Sequence, residues 1–171
     1  MSGATGSVGS AAVEIAVRFG ATVMAAAGRP GQLTTEPAVI LDLRQDDLAQ
    51  QMLVPTSGQR ADLVFDTVGG ETLERSWAVL KPNGRMVTIA ADAEGNTDGR
   101  VKQAFFIVEP NRKELIEIGK LLDAGQLQTT VDAVVPFSQA PAAFTGAVQG
   151  RLGRGKLVVT LAAAGSAIGI G

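Results

Sequence analysis

The sequence predicts an α/β fold, a doubly wound parallel sheet in which the first strand is cut short. Two observations carry this. Short strands, apolar enough to be covered on both faces, alternate with amphipathic helices through the first 124 residues. A run of glycines at three-residue intervals also opens the first helix, where such a sheet turns its chain back along one face.

Each element has its own signal. Val8, Ala12, Ile15, Ala16 and Phe19 recur at helical spacing and predict a helix over 7–19, closed by Gly20, with Glu14 and Arg18 spaced as an i,i+4 ion pair. The apolar run 21–27 reads as a buried strand ended by the glycine and proline turn at 28–31, and 38–41 reads as a second strand. Asp46 is placed to cap a helix running to Leu53, which the stretch 55–58 then breaks. Residues 61–68 are apolar in the middle, as in a strand with helices on both sides.

Gly69 and Gly70 turn into a helix over 71–80 that is expected to bury Leu73, Trp77 and Leu80. A turn at 81–84, a fourth strand at 85–90, a polar loop at 91–100 and a fifth strand at 104–108 follow. The helix 112–124 carries Leu115, Ile118 and Leu122 on its apolar face. Beyond Gly125 the rhythm changes to strand, helix and strand at 131–135, 139–148 and 156–160, so the chain is expected to divide into 1–124 and 125–171. The final apolar run, 157–170, contains Gly165 and Gly169 and is too short to span a bilayer.

Composition removes whole classes of chemistry. The 171 residues hold 15 Lys and Arg against 17 Asp and Glu, a net charge of −2, which supplies no basic face for nucleic acid. There is no Cys, no His and no Tyr. Disulfides, thiolate nucleophiles, cysteine-held zinc, the usual base at neutral pH and the phenolic acid are therefore all missing. No metal site and no catalytic side chain is expected, and any reactivity must come from a cofactor. Met1 and Ser2 run straight into the glycine turn with no leader pattern, so a cytoplasmic location without membrane contact is expected.

The glycine run has a physical purpose. Gly3, Gly6 and Gly9, with Ala4, Thr5, Ser7 and Val8 between them, let backbone come close to a pyrophosphate. Amides at the helix N-terminus then face negative oxygens, and the helix dipole adds to the attraction. About twenty residues on, where an acid would hold the ribose hydroxyls of NADH, stand Gly28 and Arg29. An arginine there suits a 2′-phosphate, which favours NADPH. A strand belongs before the glycine turn at the centre of the sheet, and only Met1 and Ser2 precede it. Some other segment, from a neighbouring molecule or from the apolar C-terminal run, is expected to fill the gap, which implies a homodimer with exchanged or shared strands.

Taken in order, the run 3–9, DLVFDTVGG at 62–70 and LKPNGRMVTI at 80–89 resemble the medium-chain dehydrogenase/reductase family, in its zinc-free, NADPH-using quinone oxidoreductase branch. The segments 105–108, 122–125, 135–137 and 155–158 resemble that family's C-terminal third. The resemblance implies a Rossmann-type NADP-binding domain at 1–124, and a tail at 125–171 that completes a GroES-like catalytic barrel. No part of these residues corresponds to the first portion of that barrel. It further implies that the stretch Ala4, Thr5, Gly6, Ser7 and Val8 holds the pyrophosphate and Arg29 the 2′-phosphate. Thr67 and Val68 would lie by the adenosine portion, and Ile89, Ala90 and Phe106 would border the nicotinamide. Ile89 and Phe106 read equally well as core, and Asp66 reads as a structural carboxylate at a strand end.

The activity implied is hydride transfer from NADPH to a small quinone, enone or carbonyl compound. A non-catalytic NADP(H)-binding module or redox sensor is the alternative from a different class. A short-chain reductase or atypical epimerase shares the opening glycine pattern, but without Tyr the tyrosine-lysine pair of the active members cannot form. A methyltransferase would want an acid where Gly28 and Arg29 stand.

Overall fold

The computed structural model describes residues 1–33, 35–45 and 47–161 and divides into two units, Met1–Gln128 and Thr129–Gly171. In the first unit, helix α1 (Ser7–Arg18) is followed by strands β1 (Met24–Ala27) and β2 (Val39–Asp42), helix α2 (Leu48–Leu53) and strand β3 (Ala61–Asp66). Helix α3 (Gly70–Ser76), strand β4 (Leu80–Thr88) and helices α4 (Gly99–Ala104) and α5 (Arg112–Asp123) complete it. The second unit contains β5 (Val131–Pro136), α6 (Ala140–Thr145) and β6 (Lys156–Thr160).

All pairings are parallel: β1 with β2, β3 with β4, and β5 with β6. The two ladders of the first unit are joined through Ser2, which bridges Ala26 on one side and Asp66 on the other. The Ser2 amide donates to Phe65 O at 2.9 Å, the Ala26 amide donates to Met1 O at 2.8 Å, and the Met1 ammonium donates to Met24 O at 2.9 Å. Two residues thus occupy the upper end of the central strand position. Burial there pushes the Met1 ammonium down to about 6, opposed by the charge of Asp66.

Period-two alternation then sends side chains to two layers. Val23, Ala25 and Ala27 meet Ala4 and Val13 on one face. Ala26, Leu41, Val64 and Met86 meet Leu48, Met52, Leu73 and Val79 on the other. Helices on both faces of a parallel sheet make the unit doubly wound, as expected.

Local departures from expectation have physical causes. The buried face of α1 is Gly9 and Val13, whereas Val8 and Phe19 stay exposed. Gly9 sits directly on the backbone of Gly3 and Ala4, and that close seating sets the rotation of the helix. Glu14 and Arg18 do not pair with each other. Arg18 donates to Gln126 Oε1 at 2.6 Å, and Glu14 accepts from the Gln128 amide at 3.1 Å, because the segment after α5 offers both side chains a partner. Asp46 lies outside the described residues, and Asp47 caps α2 by accepting from the Gln50 amide at 2.7 Å.

Helix α3 tightens at Ser76 into a 3-10 turn (Trp77–Val79), which buries Ser76 and Val79 in place of Trp77 and Leu80. The expected turn at 81–84 belongs to β4. Ala61 pairs with Leu80, and the register shifts before Leu63 meets Arg85, so the extra residues are absorbed as an irregularity within the ladder. The expected loop 91–100 contains a 3-10 turn (Ala91–Ala93) and the start of α4. The expected strand 104–108 reduces to one bridge between Thr88 and Phe105, since α4 runs to Ala104. Helix α5 buries none of its residues, leaving Leu115, Ile118 and Leu122 exposed, and the helix expected at 139–148 is α6, stopped by Gly146 at φ +75°. The C-terminal run beyond Leu161, offered above as a filler for the sheet, lies outside the described residues.

In the second unit the loop between α6 and β6 is tied to β5 by one carboxylate. Asp132, buried, accepts from Arg151 Nε at 2.6 Å and from the Gly153 amide at 2.8 Å. The Arg151 hydrogen bond, helped by the Gly153 amide, holds its carboxyl below the ordinary value of 3.8. The contribution to stability is therefore present above that ordinary value and is lost as pH falls through the lowered one. Asp132→Asn is expected to lower the thermal midpoint of the unit at neutral pH. The gap to the parent should begin to narrow below about pH 4 in a series of melts and close only as pH falls through the lowered value, where the parent loses its charge too.

Candidate functional site

The glycine turn lies at the carboxyl ends of the parallel strands, where the crevice of an open α/β sheet takes its ligands. Its conformation is enforced from below. Gly3 has φ +76°, and a Cβ there would stand 2.3 Å from Thr67 Oγ1 and 2.9 Å from Val68 Cγ2. A Cβ on Gly9 would stand 2.0 Å from Gly3 O, whereas one on Gly6 would meet the same oxygen at 3.3 Å. Gly3 and Gly9 are thus required for the closure of the turn on itself, and Gly6 is the uncapped residue before α1.

The amides divide into used and available. Ala4 donates to Ala26 O at 3.1 Å and Gly6 donates to Gly3 O at 2.9 Å, so both amides already have acceptors within the protein. Ala4 is also fully buried. Ser7, Val8 and Gly9 form the first turn of α1, whose amides have no acceptor four residues back within the helix and no side-chain cap. Together with Thr5 they form the available rim of the cradle.

The strand-end residues arrange themselves around a buried carboxylate. Asp66 accepts from Thr88 Oγ1 at 2.9 Å and from the Gly69 amide at 2.9 Å, with Val68 N at 3.4 Å. It ties the end of β3 to the end of β4 and is fully buried, which makes it a structural group. Thr67 Oγ1 donates to Ser2 O at 3.0 Å, holding the strand end against the glycine turn, and Val68 is half exposed beside Gly3. On the far side, Gly69 at φ +78° leaves no room for a Cβ against Asp92 Oδ1 and Ala90, and the Gly70 amide donates to Asp92 Oδ2 at 2.7 Å.

Ile89 follows β4, its amide donating to Asp66 O at 3.1 Å, and Ala90 is buried behind it. The Phe106 amide donates to Thr88 O at 2.9 Å, which leaves the ring half exposed next to that strand end. Gly28 and Arg29 leave the end of β1. Arg29 is exposed, and its side chain makes no hydrogen bond or ion pair with another described residue.

The structure therefore brings Gly3, Thr5, Gly6, Ser7, Val8, Gly9, Thr67 and Val68 into one cluster and places Gly28, Arg29, Ile89, Ala90 and Phe106 at neighbouring strand ends. Ser2, Thr88 and Asp92 hold this layout and were not singled out from the sequence. A short hydroxyl or carboxylate becomes informative only when strand order is known.

The chain has no Cys or His, and among the described residues no group of three or more acidic side chains is placed to hold a metal. Nor is any helix among the described residues long and apolar enough to cross a membrane.

A sequence profile of zinc-binding dehydrogenases matches residues 37–159. An NAD(P)H oxidoreductase of mitochondria from Danio rerio is 27% identical over 190 residues, covering 93% of this chain and 48% of that protein. An erythronolide synthase from Saccharopolyspora erythraea is 34% identical over 169 residues, covering 92% of this chain and 5% of that protein. Among solved structures, an alcohol dehydrogenase superfamily protein from Novosphingobium aromaticivorans superposes with a TM-score of 0.74 at 26% identity, covering 94% of this chain and 55% of the other. The chain thus spans about half the length of the oxidoreductases it matches end to end.

Proposed function

Because the chain belongs to the zinc-binding dehydrogenase family, within the medium-chain dehydrogenases/reductases, we propose that it is the nucleotide-binding part of a zinc-free, NADPH-dependent oxidoreductase acting on a small quinone, enone or carbonyl compound. The observation that carries this reading is the self-packed glycine turn, which presents the uncapped first turn of α1 at the carboxyl ends of the sheet. When bound, the nicotinamide supplies the hydride.

The residues of this chain bind and orient. The amides of Thr5, Ser7 and Val8 face the pyrophosphate, with the helix dipole behind them. Arg29, free of other partners among the described residues, takes the 2′-phosphate as a charge-assisted fork. Thr67 and Val68 flank the adenosine portion. Ile89, Ala90 and Phe106 give the nicotinamide an apolar wall that excludes water and fixes its face. The chain has no His, Cys or Tyr, so the proton for a reduced product comes from solvent or from the substrate's own site. That same lack favours a second reading, an NADP(H)-binding module without catalysis. Turnover of NADPH with a quinone separates the two.

Titration with NADPH and with NADH, followed by nicotinamide fluorescence, tests the site. NADPH should bind at least about tenfold tighter, and Arg29→Ala should erase the preference while leaving NADH unchanged, since one charge-assisted contact is worth about 1.5–3 kcal/mol. Equal affinities in the parent chain would overturn the assignment of Arg29.

A further inference from the structure

An acid stands at the strand ends that the cofactor reading has not used. Asp42 is the last residue of β2 and pairs in register with Ala27, the last residue of β1, from which Gly28 and Arg29 leave. Neighbours in register on parallel strands share a face, and Ala27 packs with Ala4 of the glycine turn and Val13 of α1. Asp42 therefore ends β2 on the side of the sheet that carries the cradle, one strand-width, about 4.8 Å, from Ala27. A carboxylate beside the ribose has the chemistry that holds its hydroxyls and rejects a 2′-phosphate.

The backbone around this acid is fixed from three directions. The Asp42 amide donates to Gln51 Oε1 at 2.7 Å, and Gln51 Nε2 donates back to Asp42 O at 3.0 Å. The Leu43 amide donates to Ala27 O at 3.1 Å, and Arg75 of α3 donates to the carbonyls of Leu43 and Gln45. None of these bonds involves the carboxylate, so its place does not depend on what it binds. Its partner is Arg44, two residues on. Arg44 Nε donates to Oδ1 at 2.9 Å, Nη2 donates to Oδ2 at 2.6 Å, and the Arg44 amide donates to Oδ1 at 2.9 Å. The Arg44 side chain is 69% exposed and that of Asp42 17%, which puts the guanidinium on the solvent side of the acid.

We propose that Arg44 is a second determinant of cofactor choice: by covering Asp42 it cancels a carboxylate that would otherwise favour NADH and repel NADPH. This rests on the NADPH reading of the same site and gives the two arginines different tasks. Arg29 makes no bond to another described residue and offers its charge to the phosphate. Arg44 uses both arms of its fork on Asp42 and acts through it, as a positioning residue. The side-chain bond from Arg44, and after it the bond from the Arg44 amide, hold the Asp42 carboxyl at about 2, so the acid is charged at neutral pH. With Arg44 in place the strand ends present one net positive charge to a phosphate dianion, and without it they present none.

The test measures NADPH and NADH dissociation constants, by nicotinamide fluorescence, for the 171-residue chain, Arg44→Gln, Asp42→Asn and the double variant. Arg44→Gln should weaken NADPH about tenfold, the scale of one uncovered carboxylate several ångströms from a phosphate dianion. NADH should bind it as tightly as the parent or more so, whereas a damaged cradle would lose both nucleotides. Adding Asp42→Asn to Arg44→Gln should return NADPH to within about twofold of the parent, although the arginine is still absent. Asp42→Asn alone should bind NADPH at least as tightly as the parent.

A double variant as weak for NADPH as Arg44→Gln would overturn the proposal, since Arg44 would then be needed for itself and not for what it covers. Unchanged NADPH affinity in Arg44→Gln, or an equal loss of both nucleotides, would overturn it as well. In each case the NADPH reading stands, provided that the parent prefers NADPH and Arg29→Ala erases the preference. A parent without that preference overturns the reading itself, and the proposal with it.

Discussion

Gly9→Ala is expected to unfold the first unit or cost it about 3 kcal/mol or more, an extreme of overpacking because the added carbon meets backbone that cannot rotate aside. The new Cβ would stand 2.0 Å from Gly3 O and 2.7 Å from Gly3 C. Gly6→Ala is the matched control. Its Cβ would meet the same oxygen at 3.3 Å, and Gly6 has φ −74°, so the loss should stay near or below about 1 kcal/mol. Chemical denaturation midpoints of the two variants, measured side by side, distinguish a self-packed turn from a merely flexible one. Nucleotide binding should follow the same ranking, because α1 can present its first-turn amides only from this seat.

Asp66→Ala should be nearly as damaging, about 3 kcal/mol, because it strands the Thr88 hydroxyl and the Gly69 amide inside the protein. Both of those donors reach the same oxygen, Oδ2, and only the long contact from Val68 N uses Oδ1. Asp66→Asn can therefore place its carbonyl oxygen at the Oδ2 position and keep both short bonds. It should recover more than half of the loss, read as the midpoint of urea unfolding. An Asn variant as unstable as the Ala variant would show that the negative charge matters, not the hydrogen-bond pattern.

Much of the sheet was legible in the sequence because strand cores and helix stripes are local signals. The apolar runs around Ala26, Leu41 and Val64 and the stripe containing Val13 required no knowledge of neighbours. Failures cluster where tertiary contacts decide. The pair expected between Glu14 and Arg18 lost to Gln128 and Gln126, more than a hundred residues away. The strand expected at 104–108 lost to a helix, α4, whose first turn is capped by Asp98 within what reads as a polar loop.

The candidate site was legible where it depends on glycine spacing, since Gly3 and Gly9 are dictated by sterics alone. Its framework was not, because the roles of Ser2, Thr88 and Asp92 exist only once β1, β3 and β4 stand side by side. That Met1 and Ser2 join the ladders of β1 and β3 was visible only in the fold.

The central claim is that the turn at 3–9 and Arg29 form one nucleotide cradle. Amide chemical-shift mapping of the 171-residue chain titrated with NADPH addresses it most directly. The account predicts saturable shifts at Thr5, Ser7, Val8, Gly28 and Arg29, with smaller ones at Thr67 and Val68. Shifts confined to residues outside this cluster, or none at millimolar NADPH, would contradict it.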